Sequence, residues 1–251
     1  MATCNTEVFA GNGQVYIAPR TKGGAISGGW TALGNSDRLE ISTSQTYQDV
    51  YESCSGNRDR IAHYVTQSEW TFAVDAMSFS KENLARAFYG TASAVVGASV
   101  TDEAVTAYAL NQIIPLRSPG VSSVVVSKGV TTLTVGVDYT VDAANGTITL
   151  ISAANAGTLP AALTVDYTYA GYDKVETNTT TAGEYAFRFE GINLNTGKAV
   201  IVDIHRVSLN LAGALSLISE APATFTMEGS LLADPSAGAG ESQYVTIKKA
   251  S

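Results

Sequence analysis

Apolar and polar side chains alternate, one residue in and one residue out, through most of this chain. In Glu69–Asp75 the bulky Trp70, Phe72 and Val74 share one face, and Glu69, Thr71 and Asp75 share the other. Tyr185, Phe187 and Phe189 stand against Glu184, Arg188 and Glu190 in the same way, and Ala223, Phe225 and Met227 against Thr224, Thr226 and Glu228. A period of two marks half-buried β-strands. Gln14–Pro19, Arg38–Thr43, Ile61–Thr66, Ala199–Leu209 and Tyr244–Lys248 are further strand candidates. In Ala199–Leu209 the apolar phase moves from Val200, Val202 and Ile204 to Val207 and Leu209, which predicts a bulge or bend near His205-Arg206.

One segment has helical spacing. Ser80 is a good N-cap, Leu84, Ala87 and Phe88 fall on one face, and Gly90 is placed to end the helix. Beyond it, Thr91–Asp102 is small and low in complexity and reads as a linker. A compact run of strands follows: Val121–Val126, Thr132–Val135, Asp138–Val141, Thr147–Ile151 and Leu163–Tyr169, with Asn145-Gly146 as a hairpin turn. Thr177–Gly183 reads as the linker back. The expected organisation is one β domain split between residues 1–95 and 178–251, with a small β domain at 102–172 inserted between its halves.

Composition narrows the function. Only 15% of the 251 residues are charged, against about a quarter in an average domain. Thr, Ser, Asn and Gly must therefore cover much of the surface. The net charge of −8 argues against tight nucleic-acid binding, which needs a basic face, but not against an acidic wall past which DNA moves. The N-terminus shows neither the basic segment nor the apolar run of a secretion signal, and no stretch reaches the ~18 apolar residues of a membrane span. Synthesis and folding in a cytoplasm are expected. The two cysteines, Cys4 and Cys54, form no metal-type pair and leave reduced thiols or a single disulfide open.

Catalytic signatures are missing. His63 and His205 sit inside strand patterns without an acid or cysteine at ligand spacing, and read as packed or surface residues. Gly11-Asn12-Gly13 and Gly23-Gly24 read as turns, too short for a phosphate loop. Asp138, Asp142 and Asp166 lack EF-hand spacing for calcium. No enzyme activity, cofactor or metal is expected. The most unusual stretch is Gln45–Arg60, read as a long loop that carries Tyr47, Val50 and Tyr51 and a mixed-charge tip. Aromatic residues on such an excursion suit a docking contact with a partner.

Several of these segments, in this order, resemble the major tail tube proteins of long-tailed bacteriophages. They are the Gly-x-Gly-x-Val-Tyr strand at Gly11–Tyr16, Leu33-Gly34-Asn35 with the strand at Leu39, Trp70–Val74 and the helix Glu82–Gly90. Leu215–Ile218, Pro222–Gly229 and Ala233-Asp234 are similar too. The middle block, with Gly136–Val141 and Asn145-Gly146, resembles the Ig-like insertions of such proteins. The resemblance implies an all-β fold with one short flanking helix: two packed antiparallel sheets of tail-tube type and a small Ig-like sandwich. It implies six-membered rings of the chain itself, stacked into a virion tube assembled in the host cytoplasm and joined to tape measure, tail terminator and distal tail proteins. DNA would pass through the lumen without specific binding, and no membrane would be involved. Tyr47, Asp49, Val50, Tyr51, Glu52, Asn57 and Arg58 would make the contact between rings, and Glu69, Glu184 and Glu228 are candidate lumen-facing acids. The competing expectation is a bacterial surface or pilus-type Ig-like subunit, or a capsid decoration protein. A carbohydrate-active enzyme lacks a paired-carboxylate motif.

Overall fold

A computed structural model describes residues 8–54, 56–218, 220 and 222–250. In chain order it begins with β1 (Gly11–Arg20), β2 (Thr31–Gly34), β3 (Ser36–Tyr51), β4 (Arg60–Ala76) and α1 (Lys81–Ala87). Then come β5 (Thr91–Val95), β6 (Ala98–Ala107), β7 (Ile113–Pro115), β8 (Val121–Lys128), β9 (Thr131–Thr132), β10 (Tyr139–Asp142), β11 (Thr147–Leu150) and β12 (Ala161–Tyr169). The chain closes with β13 (Tyr172–Glu176), β14 (Glu184–Asn193), β15 (Ala199–Leu209), β16 (Phe225–Leu231) and β17 (Val245–Lys249). The protein is all-β with one short helix and several packed antiparallel sheets. It divides into two compact units, residues 1–92 with 175–251, and residues 93–174.

The larger unit is built on one sheet of order β2-β1-β14-β15-β16-β4-β3, with β17 also on β15. Two strands, β15 and β16, separate β14 from β4 in that order, yet Phe72 and Phe187 touch at 4.2 Å between ring centroids. The sheet therefore folds back on itself into two layers. Ile17, Leu33, Phe72, Val74, Phe187, Ile204, Leu209, Phe225 and Met227 are buried between them. Apolar burial of this kind is the main source of stability.

The fold-back is set at the slip in β15. Tyr185 faces Val207 while Phe187 faces Ile204, so Ala186 opposes both His205 and Arg206, which is a bulge. Before it, β15 pairs with β17 through Ile204–Val245; after it, with β16 from Val207–Leu231. Two arginines fasten this point. Arg20 on β1 donates to Asp234 at 2.7 Å, to the His205 carbonyl and to Gly24 O. Arg206 donates twice to Glu184, at 2.8 and 3.0 Å, and once to Ala233 O.

The helix starts at Ser80, whose hydroxyl accepts from Asn83 N at 3.2 Å. Asn83, buried, donates to Leu33 O at 2.7 Å and ties the helix to β2. The residue that turns left-handed at its end is Tyr89 (φ +49°), not Gly90. Gly90 is needed for space, because a Cβ there would meet Glu176 O at 2.5 Å. Gly11-Asn12-Gly13 is likewise part of β1 and not a turn; a Cβ on Gly13 would lie 2.3 Å from Glu190 O on the paired strand.

The smaller unit is a sandwich of β10-β11-β7 and β6-β12-β8-β9 around Val126, Tyr139, Ile148, Leu150, Leu163, Val165 and Tyr167. Asn145-Gly146 closes the β10–β11 hairpin, with Gly146 at φ +63°. Thr91–Asp102 is not a linker: it forms β5 and half of β6, whose Ala98–Val100 pair with Tyr167–Tyr169. Its small side chains hid the strand signal. β5 and β13 pair as the ribbon by which the chain leaves the larger unit and returns.

The Arg20–Asp234 pair makes a pH prediction. Burial would raise the Asp234 carboxyl, but bonds from Arg20 and Ser236 bring it down to about 2, below its ordinary 3.8. A depressed carboxylate contributes stability that is complete above its ordinary value and is lost as pH falls through the folded one. Asp234→Asn should cost about 2 kcal/mol at neutral pH, and its deficit against wild type should shrink from about pH 4 towards pH 2. Urea unfolding across that range checks both.

Candidate assembly surface

The long hairpin β3–β4 is the feature that packing inside the larger unit does not explain. Its strands pair from Ser36–Ala76 out to Tyr51–Arg60. Up to Ile41 and Trp70 one face rests on the core. Beyond that point the residues of Ser44–Tyr51 and Arg60–Glu69 are exposed on both faces, except the half-buried Asp49. The hairpin is thus an arm of roughly 25 Å at ~3.3 Å per residue. The expectation of a loop over Gln45–Arg60 is corrected: Gln45–Tyr51 is strand, and only residues 52–59 lie between the strands. An alternation pattern exists only where one face is buried, and here neither is.

Strand pairing brings together residues the sequence keeps apart. Asp49 faces His63, with Oδ1 2.5 Å from Nδ1, and Arg60 stands 3.5 Å from its other oxygen. The bond to His63, with Arg60 beside it, holds the Asp49 carboxyl below its ordinary value. The Tyr47 ring stacks on His63 at 4.6 Å and its hydroxyl donates to Gln45. His63 therefore does have an acid partner, found only through the register. At the tip Glu52 N donates to Asp59 O, Arg58 is left-handed at φ +53°, and Asn57 and Arg58 are exposed. Cys54 is an exposed free thiol, while Cys4 lies outside the described residues.

The arm is apolar for a solvated element. Tyr47, Val50, Tyr51, Ile61, Tyr64 and Val65 are each between 36% and 63% exposed. A two-stranded ribbon is at best marginal alone in water, and exposed apolar patches mark interaction sites. β3 is also an edge strand, so its outer row of backbone N–H and C=O groups is open to another chain.

The three acids expected on solvent faces separate. Glu69 is exposed at the base of the arm and accepts from Gln67. Glu228 is exposed on β16. Glu184 is not on an open face: it is 7% exposed and held by Arg206 and by Gly23 N. The Arg206 bond keeps its carboxyl low despite burial. The alternation puts Glu184 on the face opposite Tyr185 and Phe187, but its carboxylate is covered there by the turn around Gly23 and the Arg206 side chain. On the outward side of β3, β4 and β16, Glu40, Asp75 and Glu228 accompany one arginine, Arg38, which is taken up by Asp75 and Glu40.

Asp138 accepts from Thr134 N and Asn155, Asp142 from Asn145, and Asp166 from Asp102 N. No cluster of three possible metal ligands gathers among the described residues. Among those residues, too, no helix is long and apolar enough to cross a membrane.

A family model described as "Protein of unknown function UCP028589" matches residues 8–248. The chain belongs to this family. No curated protein matches the chain. The matched span takes in the arm, both layers of the larger unit and the whole smaller sandwich.

In this family member Glu184 and Glu228 should answer to charge reversal in opposite ways. Glu184→Lys leaves Arg206 facing a like charge in a covered site and should cost at least ~3 kcal/mol. Glu228→Lys should stay within ~0.5 kcal/mol of wild type. Thermal unfolding of the two variants checks the contrast.

Proposed function

We propose that this protein is a structural subunit that assembles with its own copies into stacked rings, the tube of a long-tailed phage through which DNA passes. The observation that carries the reading is the β3–β4 arm: a ribbon with both faces exposed, six large apolar side chains along it and an open backbone edge. Such an arm is stable when something covers it, and a second copy is the partner always present at equal concentration. Ring contacts through the β3 edge would also remove an aggregation hazard. The outward face of β3, β4 and β16 supports the channel part of the reading. It carries small side chains, Ser42, Thr71, Ala73 and Ser230, between acids that repel phosphate. A channel lined by free lysines and arginines would hold DNA instead.

Negative-stain microscopy of the purified chain should show rings or tubes. Replacing Thr46–Gln67 by an Asn-Gly turn joins Gln45 to Ser68 across an existing pair. That variant should fold but stay monomeric in sedimentation. Normal tubes from the shortened chain, or only monomers from wild type, would overturn the proposal.

The smaller unit should be dispensable for assembly. Excision at 102–172 would strip the first half of β6 of its partner β12, so the cut belongs at the ribbon. Joining Val95 to Tyr172 by a short Asn-Gly turn should leave a soluble chain that still assembles. Insoluble protein after this cut would make the sandwich part of the larger unit's folding.

A further inference from the structure

We draw no further inference here: the strongest candidate, the open apolar groove beside the root of β3 that Phe9, Leu39, Ile41, Phe189, Val202 and Ile247 line, carries nothing because charges of both signs, Asp37 and Arg38, stand at it and nothing in the structure shows what covers it.

Discussion

His205 and Arg206 share one partner, Ala186, on the neighbouring strand, and that extra residue in the ladder governs the larger unit. It reverses which side chains of β15 point inward, so Ile204 before it and Val207 after it reach the same core. It also ends the pairing with β17 and begins the pairing with β16, which lets a single sheet become two layers. A bulge raises local twist and leaves backbone groups without ladder partners. Arg20 takes up the His205 carbonyl, and Arg206 holds Glu184 and Ala233. The buried ion pairs sit where the sheet needs fixing most. Breaking one leaves a buried charge behind, so their removal costs more than the net contribution of the intact pair.

How much of this was legible in the sequence depends on burial. Where one face of a strand is covered, as in Trp70–Val74, Tyr185–Phe189 and Phe225–Met227, alternation located the strand and its inward residues. The slip at His205-Arg206 was visible for the same reason: a phase error shows only against a regular phase. Where neither face is covered, as in Gln45–Tyr51, no pattern exists, and a strand read as a loop. Thr91–Asp102 failed differently, because its small side chains form β5 and β6 without a bulky period. Glu184 exposed a third limit. Its cover by a turn and a neighbouring arginine depends on chain far away in sequence, which alternation along one strand does not record. The pairing of Asp49 with His63 was hidden in the same way, since register is a property of two strands.

The core of the larger unit is closed, but the arm and the β3 edge leave apolar surface and backbone groups facing water. The low charged fraction agrees with the proposed self-assembly, because surface that meets other protein does not need charge to stay soluble. An acidic net charge then limits indiscriminate clumping while leaving specific contacts available.

The ribbon of β5 and β13 has a consequence for how such chains can change. It delivers the chain out of the larger unit and back at neighbouring points, since paired strands lie roughly 5 Å apart. A socket of that kind accepts any module whose own ends lie close together, as the ends of most domains do. The larger unit is suited to carry a module at this point, because its core residues all lie outside the segment that the ribbon encloses.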